Sequence, residues 1–198
     1  MKIVELILDE EQEESGIEAI SIVESPAIES DFVALKAEEI KLAEVDTDKR
    51  ILLGALLIPN KPIYRTGEEG DYYIFFSKDT IVKASQMYLK NGYQNNSTLE
   101  HEKALNGLTL VESWIVEDEV QDKSRKYGLD VPVGTWMGAV KVNNEKIWQE
   151  YVKTSKVKGF SIEGYFADKM ERPKEDIKED LSEDDIILNE IKNILTSN

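Results

Sequence analysis

The sequence predicts an α+β fold, a mostly antiparallel sheet or barrel with a few surrounding helices. Three observations carry this. Short apolar or alternating runs bounded by Gly, Pro, Asn or Asp recur along the chain. Helical periodicity is confined to a few scattered stretches. The strict strand–helix alternation of a doubly wound fold is missing. With 198 residues, 41% of them apolar, the chain is long enough for one full core and a small appendage.

The elements follow in order. Residues 1–8 alternate well enough for a strand, and acidic residues 9–18 read as a loop. Residues 19–23 and 31–35 are short apolar pieces around Ser25-Pro26, and residues 36–49 read as an acidic linker or weak helix. Ile51 to Ile58 is a near-continuous apolar run, as expected of a strand buried on both faces, and Pro59-Asn60 ends it. Tyr72 to Phe76 is aromatic and β-prone. Ser77 is placed to cap a helix over about 78–90, with Ile81, Ala84, Ser85 and Tyr88 on one face and Gly92 as its stop. Leu108 to Val116 is a further strand, 117–134 a polar loop, and Thr135 to Val142 a strand. Asn144 caps a short helix that turns Ile147, Trp148, Tyr151 and Val152 inward. The strand Gly159–Ala167 follows. Beyond Arg172-Pro173, Ser182 caps a final amphipathic helix.

Charge divides the chain into three parts. Residues 1–49 carry 15 acids and 4 bases, residues 168–198 carry 10 and 5, and residues 50–167 carry 15 of each. The net charge of −16 therefore lies wholly in two acidic flanks around a neutral block. This predicts a catalytic or binding domain over 50–167, with an N-terminal flank of 1–49 and a C-terminal tail of 168–198 that are dispensable for chemistry. No basic excess exists to replace phosphate counterions, which argues against nucleic acid as a partner. There is no cysteine, so disulfides and thiolate metal sites are excluded. No apolar run is long enough to span a bilayer, and a soluble intracellular protein without membrane contact is expected. Neither an EF-hand spacing nor a phosphate-binding glycine loop is present, and a single histidine makes a zinc site improbable. No cofactor is expected.

That single histidine, His101, sits in Thr98-Leu99-Glu100-His101-Glu102. Histidine is the side chain best suited to proton transfer near neutral pH. Sixty residues later comes Lys158-Gly159-Phe160-Ser161-Ile162-Glu163-Gly164-Tyr165-Phe166. On an extended strand Phe160, Ile162, Gly164 and Phe166 point one way, and Ser161, Glu163 and Tyr165 the other. The apolar set faces a core and leaves Ser161 to a cleft, with Gly159 and Gly164 making the backbone approachable by a substrate. The pair suggests a hydroxyl nucleophile and its base, expected in hydrogen-bond reach at roughly 2.6–3.5 Å. Taken alone, a strand serine and a loop histidine are ordinary surface residues, and the motif is not the Gly-x-Ser-x-Gly elbow. A base of this kind is usually oriented by a third group. Glu112 is the one charge on the face shared by Leu108, Leu110, Trp114 and Val116, and a half-buried carboxylate needs a partner. It is the favoured third member. Glu163 is its rival and Asp118 a weaker one.

At these residues the chain resembles the phage prohead maturation serine proteases, in the branch found in phages and prophages of Gram-positive bacteria. The resemblance runs from about Ile51 to Arg172. It rests on Asn95–Glu102, Val111–Asp118, Pro132–Gly138 and Lys158–Phe166, with Glu18–Ile28 similar to the leader region of that branch. It implies a fold like herpesvirus assemblin and a serine endopeptidase acting inside the procapsid in the bacterial host cytoplasm. Scaffold and capsid proteins, and the enzyme itself, would be its substrates, and a homo-oligomer is allowed. His101 and Ser161 fall on the positions of the family's base and nucleophile. Herpesvirus relatives use a second histidine as third member, which this chain lacks; Glu112 is carried into that role. The oxyanion donors would be backbone near Ser161 or in the 119–134 loop. The contrasting expectation is a non-catalytic capsid assembly or scaffold-like protein that keeps the fold and works through its acidic arms.

Overall fold

The computed structural model describes residues 2–8, 15–28, 33–36, 48–67 and 70–168. The expected linker or helix within 37–47 and the terminal amphipathic helix lie outside these residues. In chain order the strands are β1 (Lys2–Ile7), β2 (Gly16–Val23), β3 (Val33–Lys36), β4 (Asp48–Leu57), β5 (Ile63–Arg65) and β6 (Tyr72–Phe76). Helix α1 (Lys78–Lys90) is followed by β7 (Ser97–Leu99), β8 (Lys103–Leu105), β9 (Leu108–Ile115) and β10 (Trp136–Val142). The short helix α2 (Glu145–Ile147) runs into a π-helical turn over Trp148–Val152, and β11 (Gly159–Tyr165) and β12 (Ala167–Asp168) close the described chain.

The fold is mixed and mostly β, as the strand count predicts, with two α-helices among the described residues. The strands form three four-stranded sheets, ordered β12-β1-β6-β5, β3-β4-β10-β9 and β11-β2-β7-β8. No closed barrel is formed among the described residues. Pairing is antiparallel throughout except for β1 with β6 and β2 with β7.

The local reasons are legible. Ser77 is the N-cap of α1, its hydroxyl accepting from the Thr80 N–H, and Asp79 in the first turn and Lys90 in the last complement the helix dipole. Beyond the C-cap Asn91, Gly92 takes the left-handed conformation at φ 78° that glycine adopts at little cost. The run in β4 is buried on both faces: Leu52, Leu53, Ala55, Leu56 and Leu57 all belong to the core. Trp136 on β10, Phe160 on β11, and Tyr88 and Ile81 on α1 complete its centre. Tyr88 meets Trp136 edge-on at 5.7 Å between ring centroids.

The charge-based boundary at residue 50 does not coincide with any break in pairing. The acidic N-terminal segment supplies one strand to each sheet: β1 beside β6, β3 beside β4, and β2 between β11 and β7. Val4, Ile17, Ile20, Ile22 and Val23 from that segment are buried. Among the described acids of that segment, Glu5 and Glu18 are part-buried and Glu24 is exposed, so net charge says nothing about whether the strand is inside.

Candidate active site

The site is built on one face of the third sheet. In β11 the residues Ser161 and Glu163 are two apart and share a face. Ser161 lies opposite Ser21 of β2, and Ser21 lies opposite Thr98 of β7. Ser161 faces Ser21 across an antiparallel pair and Thr98 faces it across a parallel one, with neighbouring strands about 4.8 Å apart, so the three make a row of hydroxyls across three strands. Phe160 points to the other side, where it is fully buried. Of the set expected to face the core, Ile162 is only partly buried and Gly164, beyond a register shift, is exposed.

His101 enters from the turn between β7 and β8. The Glu102 N–H donates to Leu99 O at 3.1 Å, and the two central residues, Glu100 and His101, have φ of 52° and 60°. Positive φ at two successive non-glycine residues is sparsely populated, and the surroundings hold it here. The Glu100 N–H donates to Ile22 O at 3.2 Å and the His101 N–H to Ser21 Oγ at 3.1 Å. The Glu24 N–H donates to Glu100 Oε1 at 2.7 Å. The tip is thereby tied down on the end of β2, and the imidazole folds back over the sheet face.

There His101 Nδ1 lies 3.1 Å from Glu163 Oε1. The same carboxylate oxygen accepts from Thr98 Oγ1. The ring is 43% exposed and the Glu163 side chain 29%. With Nδ1–H directed at the carboxylate, the neutral ring carries its proton on Nδ1 and keeps the Nε2 lone pair for accepting one. The arrangement can orient a general base and stabilise the imidazolium that proton transfer creates.

Two expectations need correction. Glu112 is not the carboxylate near His101. It belongs to β9 in the second sheet and forms an ion pair with Lys123. The cause is a β-bulge: Ala139 faces Glu112 but Val140 faces Leu110, leaving Val111 as an extra residue. The bulge breaks the alternation on which the inward position of Glu112 was based. Glu112 and Trp114 instead meet residues 122–123, with Trp114 Nε1 donating to Asp122 and Lys123 Nζ 5.3 Å from the Trp114 ring centroid. Asp118 is also elsewhere; it accepts from the Val120 and Gln121 N–H groups, which hold its carboxyl below the usual range. The rival Glu163 takes the place by His101.

The second correction concerns Ser161. No hydrogen bond joins its hydroxyl to His101 among the described residues, because the ring is turned to Glu163 and Ser21 stands in the row between. Gly164 also has a packing purpose: a Cβ there would sit 2.0 Å from Gly16 O, so glycine is what lets β11 lie against β2 at a bulge. Two members were missed by sequence reading. Thr98 and Ser21 are ordinary strand hydroxyls until the pairing of β2 with both β7 and β11 is known. Among the described residues no group of three or more His, Asp or Glu side chains is placed to hold a metal ion, and no helix is long and apolar enough to cross a membrane.

A family model described as "Putative phage serine protease XkdF" matches residues 39–171, two thirds of the chain. The chain belongs to that family. The matched region of this phage serine protease family member contains Thr98, His101, Ser161 and Glu163, while Ser21 on β2 precedes it. No curated protein and no solved structure matches the chain.

Proposed function

We propose that this family member is a serine endopeptidase of prohead maturation, with Ser161 as nucleophile, His101 as general base and Glu163 as the group that orients and charges the base. The observation that carries the reading is the contact of His101 Nδ1 with Glu163 Oε1 at 3.1 Å, with Ser161 two residues from Glu163 on the same face. The Ser161 hydroxyl attacks the scissile carbonyl, His101 Nε2 takes its proton, and the protonated ring returns that proton to the leaving amine. The relay requires His101 Nε2 to come within hydrogen-bond reach of the Ser161 hydroxyl in the substrate complex. Catalytic hydrogen bonds commonly tighten only in the substrate complex.

In the same proposal the substrates are capsid and scaffold proteins, and the enzyme itself, inside the immature shell within the host cell. The strongly acidic flanks suit protein contacts better than DNA contacts. The kinship with herpesvirus assemblin belongs to this proposal too. Its support is a mostly β core with the nucleophile on a strand of one sheet and the base on a turn between two strands of the same sheet.

The test is a time course. Purified full-length protein is incubated with the scaffold and major capsid proteins of its own phage, and masses are followed. Wild type is expected to shorten a substrate, and Ser161→Ala and His101→Ala to leave it intact. Equal behaviour of wild type and Ser161→Ala would refute the assignment and favour a non-catalytic assembly role.

A further inference from the structure

A cleft of about 680 Å³ lies along β11. One of its walls is a single face of the first sheet, and that face is graded. Lys2, Tyr72 and Arg65 stand opposite one another in the outer row. The next row is Val4, Ile74 and Ile63, and the third is Leu6 with Phe76. The wall therefore passes from cationic to apolar over two steps of two residues, about 7 Å each. Asp71, just before β6, lines the cleft beside the outer row.

The facing wall is β11. Phe160, Ser161 and Ile162 line the cleft, and so do Gly164, Tyr165 and Phe166. Successive residues of a strand send their side chains to opposite faces. A cleft that touches each in turn runs along the backbone edge of the strand and not over one face alone. Among the described residues β11 is the terminal strand of its sheet, with β2 on its other side, and no residue of β2 lines the cleft. Leu6 and Phe166 lie by Phe76 at the apolar end, and they and the further lining residues Ala27 and Ile162 are only partly buried, so they present apolar surface to whatever enters.

We infer that this cleft binds the substrate polypeptide as an added strand along the outer edge of β11, with one large apolar side chain against the part-buried apolar lining of Leu6, Ala27, Ile162 and Phe166 and an acidic residue toward Lys2 and Arg65. The inference rests on the peptidase reading and names the substrate class for it. Main-chain pairing supplies sequence-independent affinity, and the alternate side chains supply selectivity. The nucleophile strand is itself the docking edge, so pairing brings a peptide carbonyl past Ser161 in a fixed register.

The experiment is a cut-site profile. The full-length protein digests a peptide library prepared from a bacterial proteome, and mass spectrometry reads the residues around each new terminus. The expected profile has Leu, Ile, Met or Phe enriched about tenfold at one fixed position within three residues of the cut. Acidic residues are enriched on one side, and proline is depleted at alternating positions because it cannot donate to a ladder. Ala27→Trp narrows the apolar end and is expected to move the preference to small residues by a similar factor. Ala27→Leu gives a smaller shift of the same sign if the tryptophan variant does not fold. Arg65→Glu is expected to remove the acidic preference. Cuts that depend on Ser161 but show no apolar preference, or one that neither Ala27 variant moves, overturn the cleft assignment and leave the peptidase reading standing. A profile with no Ser161-dependent cuts overturns both.

Discussion

Glu163→Gln separates the charge of the orienting group from its geometry. Both His101 Nδ1 and Thr98 Oγ1 approach the same oxygen, Oε1. A glutamine can present its carbonyl oxygen there, so both donors keep an acceptor and only the negative charge is lost. A hydrogen bond to a charged partner contributes about 1.5–3 kcal/mol. Solvent reaches 43% of the ring and 29% of the glutamate, which sets the value at the lower end. About 1.5 kcal/mol corresponds to roughly tenfold in kcat. Glu163→Ala removes acceptor and charge together and leaves the ring free to turn, for an expected loss of about a hundredfold. Thr98→Val withdraws one donor from Oε1 at about 1 kcal/mol, near fivefold, and Thr98→Ser restores it. Glu112→Gln is the control, because it breaks only an exposed pair with Lys123 and is expected to leave kcat unchanged. The assay is the initial rate of scaffold-protein cleavage, with circular dichroism melts to show that each variant is folded. Intact activity in Glu163→Gln together with its loss in Glu112→Gln would refute the assignment of the orienting group.

Three further outcomes follow from the packing. Gly164→Ala places a methyl group 2.0 Å from Gly16 O and 2.7 Å from Ile17 Cα, backbone atoms that cannot turn aside, and is expected to cost about 3 kcal/mol or more in denaturant unfolding. A chain beginning at residue 50 loses β1, β2 and β3 and with them buried Val4, Leu8, Ile17, Ile20, Ile22, Val23 and Ile28. At about 1.5–3 kcal/mol for each buried side chain this exceeds the usual net stability of a domain, so no cooperative thermal transition is expected. Burial pushes the Tyr88 phenol well above the ordinary tyrosine range. Unfolded tyrosine releases its proton near about pH 10, so the stability due to neutral Tyr88 is fully present below that pH and declines as the pH rises above it. Unfolding midpoints at increasing alkaline pH should fall, and Tyr88→Phe should flatten the decline.

How far the sequence carried the reading depends on the range of the interaction concerned. Ser77, the 78–90 periodicity and Gly92 act within a few residues, and the helix with its cap and stop was legible from them. The uninterrupted apolar run of β4 likewise announced burial on both faces. β5, β7 and β8 have three residues each, too few for an alternation to be recognised. The parallel pairings of β1 with β6 and β2 with β7 join segments some 70 residues apart and leave no local trace. Strand alternation placed Ser161 and Glu163 together correctly but misplaced Glu112, because one extra residue at Val111 shifts the alternation there. Thr98 and Ser21 became visible only through the register of three strands.

The central place of β2 also governs when the site comes into being. Ser21 is made early, but Thr98 and His101 follow it by about 80 residues and Ser161 by 140. Neither neighbour of β2 exists when β2 leaves the ribosome. The row of hydroxyls can close only after the chain has been synthesised past Tyr165. Contacts of such long sequence separation form slowly, after the entropy of closing large loops has been overcome. A nascent or partly folded chain therefore holds its histidine and its serine apart until β11 is in place beside β2.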